Sequence, residues 1–318
     1  MSELTPIHNT AFSNVTPILQ LAWDNHSMNM LKECPRKYQL AILYGRVPKI
    51  MSVHLVFGIL YHEGLELYDR LMAKDSTHDD AVVAVTWHLL KATWDKELNR
   101  SIVLDDKNKN RYTLIRSVVW YLERFKKDNL KTVILADGKP AVEISFKFQT
   151  HYKASNGEHF SICGHIDKIA EMDGLYWVVD RKTSKNSIDG DNFFEHYSPH
   201  NQMSTYDFAG QIVTPYKTTG IIIDAAQIMV NFSHYRRGFS QRTEAQRIEW
   251  YDNLGYWFEQ IDRFATDQKW PMNEASCGNY GGCPFRGICG RSPEDRDHWL
   301  QVKFAHRNWD PLEIRGDV

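Results

Sequence analysis

The chain has 318 residues, 42% of them hydrophobic and 25% charged, with a formal net charge of −2. That length can bury a sizeable core, as one elaborated domain or a domain with a small satellite, and the acidic balance excludes a global attraction to nucleic acid, so any such affinity must come from a local groove. No apolar run reaches the roughly 18 residues of a membrane span, and the opening Met1-Ser2-Glu3-Leu4-Thr5-Pro6 lacks the basic and apolar regions of a secretory signal, so a cytosolic protein is expected.

Residues 1–26 read as a loosely ordered arm. Helical patterning begins near Ser27, with Met30, Leu31, Cys34 and Tyr38 at helical spacing and Pro35 inside or at the edge of a turn. Helices are predicted over 57–71, 79–98 and 112–127, the last two amphipathic and joined by a polar loop at 105–110. The period then changes to that of strands, over 142–149, 160–170 and 175–182. A polar loop at 186–191 precedes a helix at about 200–213, a strand at 219–232 and a long helix at about 241–267, which Trp270-Pro271 ends. The order predicts an α/β protein: a helical block over 27–140, a core over 141–268 and a cysteine-rich lobe over 269–318.

The apolar runs 160–169 and 175–179 flank Asp173-Gly174, the strongest short hairpin signal a sequence offers. The first run carries Gly164-His165-Ile166-Asp167 and the second ends in Asp180-Arg181-Lys182. Alternation puts Asp180 and Lys182 on one strand face and turns Arg181 to the other. Two carboxylates and a lysine brought together across a hairpin suit a divalent cation beside a phosphodiester. The plain alternative is a structural Asp–Lys or Asp–Arg ion pair, but Leu175-Tyr176-Trp177-Val178-Val179 is apolar on both faces, and charges at the end of such a strand need partners.

On the helix at 57–71, Gly58, His62 and Glu66 recur every four residues and share a face. A lone histidine there reads first as a hydrogen-bonded core residue; counted with Asp167 and Asp180, a neutral imidazole can complete a metal site. His165, on the strand face of Asp167, reads as a core or supporting residue. Gln202 and Tyr206 lie four apart on a later helix, where a polar pair is ordinarily a solvated face. Beside the hairpin, Gln202 could hold the lysine and an attacking water, and Tyr206 could bond a phosphate. Lys185, with Arg236 and Arg237 at a strand end, could contact a nucleic-acid backbone or simply be solvated.

Five cysteines, an odd number, argue against a disulfide framework. Cys34 and Cys163 stand alone in sequence, whereas Cys277, Cys283 and Cys289 crowd into one glycine-rich stretch.

Taken in order, Gly58-x-x-x-His62-x-x-x-Glu66, Gly164-x-x-Asp167, Asp180-x-Lys182 and Gln202-x-x-x-Tyr206 resemble the RecB-like branch of the PD-(D/E)XK nucleases. Cys34-Pro35-Arg36-Lys37-Tyr38, with the three late cysteines, is similar to the iron–sulfur subgroup of that branch, which contains CRISPR-associated RecB-like exonucleases, the nuclease domains of AddB-type helicase subunits and many phage exonucleases. The resemblance spans about residues 27 to 289 and is specific as a combination, though no single motif is.

It implies a restriction-endonuclease-like core, a mixed central sheet flanked by helices, and a metal-dependent DNA exonuclease acting on single strands or ends. Asp167, Asp180, Lys182 and Gln202 would be catalytic. One or two Mg²⁺ or Mn²⁺ ions would be held by His62, Asp167, Asp180 and the carbonyl of Arg181, with Glu66 supporting His62 or acting as an outer ligand. Tyr206, Lys185, Arg236 and Arg237 would meet DNA. Cys34, Cys277, Cys283 and Cys289 would ligate a [4Fe–4S] cluster; four thiolates suit zinc equally, and both cysteine gaps here are five residues, where the family's usual pattern is Cys-x-x-Cys and a longer gap. Joining Cys34 to the tail closes a loop worth about 5 kcal/mol of chain entropy, so the group is expected to be structural. The alternative reading is a non-catalytic DNA-end-binding or scaffold subunit of a recombination or CRISPR adaptation complex. A helicase motor would be a separate chain, since no Gly-x-x-x-x-Gly-Lys-Ser/Thr stretch is present, and a recombination, helicase or integrase protein is a candidate partner.

Overall fold

The structure, a computed structural model, describes residues 10–50, 52–95, 100–101, 106–190 and 192–313. The first nine residues of the expected arm and the last three of the helix predicted at 79–98 lie outside the described residues, as do single positions in the two predicted polar loops. The chain divides into two compact units, one of Met1–Ile50, Ser145–Gly164 and Ile248–Ile314, the other of Met51–Ile144, His165–Arg247 and Arg315–Val318.

Its principal elements, in chain order, are α1 (Asn25–Glu33), α2 (Val53–Met72), α3 (His78–Ala92), α4 (Arg111–Phe125), β1 (Val142–Lys153), β2 (His159–Met172), β3 (Leu175–Ser184), α5 (Asn201–Gly210), β4 (Thr218–Ile228), β5 (Ser233–Ser240) and α6 (Glu244–Asp267). No helix among the described residues is long and apolar enough to cross a membrane.

In the first unit, α1 starts where the Asp24 side chain accepts from the backbone of His26 and Ser27. It stops at Cys34 because Pro35 has no N–H to continue it; a fresh short helix, Pro35–Tyr38, begins there with proline in its first turn. One continuous helix through Tyr38 is therefore not formed. Phe258 of α6 stacks on Phe160 with ring centroids 4.5 Å apart, while Trp23 stacks on Tyr38 at 5.3 Å. A separate cluster of Leu40, Phe285, Ile288, Leu300 and Phe304 underlies the cysteine-rich tail.

In the second unit, β3 pairs antiparallel with β2 and parallel with β4, and β5 runs antiparallel to β4. This is a mixed sheet with helices on both faces. On one face α2, α3 and α4 bury Tyr61, Leu65, Leu89 and Val118 against Ala226 and Ile228 of β4. On the other, α5 lies so close that a Cβ added to Gly210 would stand 2.6 Å from Thr218 Oγ1 and 2.7 Å from Val178.

The strand predicted at 219–232 is two strands. The chain turns where Met229 N–H bonds the carbonyl of Phe232, and returns as β5. Its His-Tyr-Arg-Arg composition hid it, because the charges find partners within the fold: Arg237 meets Asp128 at 2.5 Å and Asp224 at 3.5 Å. The α3 helix ends at Ala92, where Thr93 Oγ1 bonds back to the Leu89 carbonyl at 2.6 Å.

Gly210→Ala is expected to lower stability by about 1–3 kcal/mol through overpacking, read as a reduced urea midpoint with an unchanged slope.

Candidate active site

The hairpin forms as its sequence dictates. Asp173 and Gly174 take φ of +54° and +78°, the two left-handed positions of a type I′ turn, and β2 and β3 then pair Met172 with Leu175 through Lys168 with Val179. Carrying that register one step further sets Asp167 opposite Asp180, and opposed residues of an antiparallel pair share a face. Lys182 lies on the same face, two residues on. Arg181 and Lys168 point to the other, toward α2.

The carboxylates are buried, Asp180 at 1% exposure and Asp167 at 9%. Asp167 Oδ2 accepts the backbone N–H of Arg181 at 2.9 Å, and His62 Nδ1 from α2 stands 3.4 Å from the same oxygen. Lys182 Nζ lies 2.7 Å from Asp180 Oδ2 and donates to Gln202 Oε1 at 3.0 Å; Gln202 Nε2 in turn donates to the Tyr206 hydroxyl at 3.2 Å. Hairpin, α2 and α5 thus bring His62, Asp167, Asp180, Lys182, Gln202 and Tyr206 together within one compact unit.

Burial pushes Asp180 up to about 6, with the Lys182 charge opposing and the neighbouring Asp167 charge adding to the rise. Lys182 moves up as well: burial opposes its charge, but Asp180 and Asp167 outweigh burial. It is an ammonium at neutral pH, a charge stabiliser and not a base. Burial, reinforced by Asp167 and Asp180, holds the Tyr206 hydroxyl well above its ordinary range, so it stays neutral.

Among the described residues, no group of three or more His, Cys, Asp or Glu side chains stands ready to hold a metal ion. The fit to a divalent cation rests on the donor set: Asp180 is buried with the Lys182 ammonium 2.7 Å from its Oδ2, Asp167 lies across the hairpin, and His62 Nδ1 stands 3.4 Å from Asp167 Oδ2, so hard oxygen donors and an imidazole converge at one place.

Other predicted residues sit differently. Glu66 is engaged by Arg70, one turn along α2, whose Nη2 is 2.8 Å away. The Arg237 guanidinium is held by Asp128 and Asp224, which counts against the predicted DNA contact. Arg236 donates to the Ile188 carbonyl at 3.1 Å and lies over Phe194, while Lys185 is exposed. His200 was not singled out by its sequence context. It precedes α5, and burial with the charge of Lys182 next in weight brings it down to about 4, placing a neutral imidazole by the lysine. The sequence reading also missed Asp69 of α2, which binds Lys168 Nζ at 2.9 Å and the Arg181 guanidinium. These three side chains help line a cavity of about 380 Å³ behind the strands, away from the carboxylate face.

In the first unit all four expected cluster ligands are free thiols: Cys34 is buried, while Cys277, Cys283 and Cys289 are half-buried. Burial raises the Cys283 and Cys289 thiols, and proximity to Cys34 adds to the rise in both. Cys163, fully buried and pushed above the usual thiol range by burial, stands outside that set.

A helix-flanked mixed sheet with paired acids and a lysine at the end of a central strand is the core of a nuclease. Residues 26–290 match the model of the PD-(D/E)XK nuclease superfamily, and the chain belongs to that superfamily. Several solved structures are similar to it. A candidate exonuclease from Eubacterium rectale aligns over 81% of this chain and 86% of its own, at 12% identity and a TM-score of 0.48. The protein SSO0001 aligns over 86% of this chain and 87% of its own, at 13% identity and a TM-score of 0.34. No curated protein matches the chain.

A carboxyl with a raised folded pKa holds its proton better folded than unfolded, so it costs stability as pH rises from the ordinary carboxylate range through about 6. Asp180→Asn removes that loss. In chelator, the unfolding free energy of the variant minus that of the parent is expected to increase between about pH 4.5 and about pH 7.5, measured by urea titration at each pH.

Proposed function

We propose that the protein is a metal-dependent DNA exonuclease acting on single strands or DNA ends. The observation that carries the reading is the buried Asp180 carboxylate, with Asp167 across the hairpin and a charged Lys182 2.7 Å from it. The four-motif resemblance to RecB-like exonucleases supports digestion from ends.

His62, Asp167, Asp180 and the carbonyl of Arg181 would hold the ion. When bound, Mg²⁺ or Mn²⁺ supplies an acidified water and neutralises phosphate charge. Lys182 faces the reacting phosphate as a fixed positive charge, and its contribution grows as negative charge accumulates on the phosphorus oxygens. Gln202 fixes the lysine through its carbonyl oxygen, and Tyr206 fixes the Gln202 amide, so the ammonium is oriented before substrate arrives. Water adds to phosphorus, the bond to the 3′ oxygen breaks, and that oxygen takes up a proton, leaving a 5′-phosphate and a 3′-hydroxyl. Lys185, exposed just past β3, is suited to backbone phosphates, whereas the Tyr206 side chain is buried behind Gln202. Glu66, bound to Arg70, supports the helix that carries His62.

In the other unit, Cys34, Cys277, Cys283 and Cys289 would hold a [4Fe–4S] cluster that ties early and late segments together, with zinc as the competing four-thiolate ion. A catalytically silent end-binding subunit of a recombination or CRISPR adaptation complex is the second reading; the full set of acid, acid, lysine and glutamine disfavours it.

Lys182→Ala is expected to cut release of end label from single-stranded DNA in Mg²⁺ or Mn²⁺ by about 10²–10³-fold, while binding to the same DNA in Ca²⁺ persists. Cleavage at the parent rate would refute the assigned role, and a parent protein that binds ends without cutting would favour the silent subunit. Anaerobically purified protein is expected to carry about four irons per chain with visible absorption, both lost in Cys283→Ser together with a fall in Tm. One zinc per chain would replace the cluster in this account.

A further inference from the structure

Asp69 sits two turns beyond His62 on α2, with 7% of its surface exposed. One of its oxygens takes Lys168 Nζ at 2.9 Å and Thr132 Oγ1 at 3.3 Å; the other takes the Arg181 guanidinium. Lys168 directly follows Asp167, and Arg181 directly follows Asp180. A single buried carboxylate therefore grips, from behind, the residue next to each acid of the candidate site. Burial acts to raise the Asp69 pKa, yet the two cations together bring it below the ordinary carboxylate range, so it remains charged.

Strand alternation makes this grip mechanically specific. With Lys168 and Arg181 drawn to one point behind the sheet, Asp167 and Asp180 must project from the front, side by side. The pull also holds Arg181 N–H on Asp167 Oδ2 at 2.9 Å, a bond that links the two strands at the carboxylate pair itself. The same helix brings His62, two turns before Asp69, to Asp167. We infer that Asp69 is a positioning residue: it sets the separation of Asp167 and Asp180 by clamping Lys168 and Arg181 on the reverse face of the β2–β3 hairpin. Its consequence for cleavage rests on the nuclease reading above; the clamp itself does not.

An ordinary structural ion pair would also cost stability when broken, so the test needs a matched control. Val85→Ala opens the core of the same unit without touching the hairpin. Asp69→Asn, Lys168→Met and Val85→Ala are compared with the parent by three readouts: amide exchange at Arg181 under native conditions, Mn²⁺ affinity by EPR titration, and kcat and KM on end-labelled single-stranded DNA. Asp69→Asn is expected to speed Arg181 exchange at least about tenfold beyond Val85→Ala without global unfolding. It should also weaken Mn²⁺ about tenfold or more and lower kcat about 30-fold or more with KM within about threefold. Lys168→Met, which removes one arm of the clamp, should move each readout in the same direction by less. If Asp69→Asn does not fold, Lys168→Met against Val85→Ala decides by the same criteria. Arg181 exchange and Mn²⁺ affinity no different from the control would overturn the inference while leaving an active parent as a nuclease. Faster Arg181 exchange in Asp69→Asn, together with a parent that neither binds Mn²⁺ nor cuts DNA, would sink the functional reading and leave the clamp standing.

Discussion

Two carboxylates facing each other across a buried strand pair repel, and burial disfavours the charge on Asp180. Asp167 and Asp180 are held in that arrangement by the register that Asp173-Gly174 imposes, so the site is electrostatically incomplete unless positive charge accompanies it. Lys182 supplies part of that charge from the same strand, 2.7 Å from Asp180. The upward displacement of both Asp180 and Lys182 is the signature of the arrangement.

Around this pair the second unit is organised in layers. The α5 face supplies Gln202 and Tyr206, which hold the lysine in a short chain of hydrogen bonds. The opposite face receives α2, which bears both His62 and Asp69. One rigid helix thereby touches the carboxylate pair at Asp167 and grips the strands behind it. Further along that reverse face, Asp224 accepts the Tyr121 hydroxyl and meets Arg237, extending the polar layer into β4 and β5. Such a layer is stable only when its members are partnered, which accounts for Arg237 of β5 turning into it.

Most of the carboxylate site was legible in the residues because its signals are local. A two-residue turn with left-handed propensity, period-two alternation and a four-residue helical repeat are each set within a few residues of chain. Elements whose evidence is non-local were missed or misjudged. The β5 strand looked like a charged strand end because Arg237 finds its acids far along the chain, on α4's C-terminal side and on β4. Asp69 looked like any polar helix residue, since its cations lie about a hundred positions away in the chain, Lys168 at a separation of 99 and Arg181 at 112. The helix through Tyr38 failed for a local reason that was visible, Pro35, but whose effect on the path depended on what the next turn packed against.

By itself the sequence determined the hairpin, its register, the face shared by Asp167, Asp180 and Lys182, and the membership of His62, Gln202 and Tyr206 in helices of suitable spacing. These follow from backbone geometry, which needs no knowledge of distant partners. Only the tertiary structure decided which cations neutralise which acids, that Arg237 is bound within the fold, that a neutral His200 stands by the lysine, and that Asp69 anchors both strands from behind. Charge pairing is decided by distance in space and by burial, and neither is written into the order of residues along a chain.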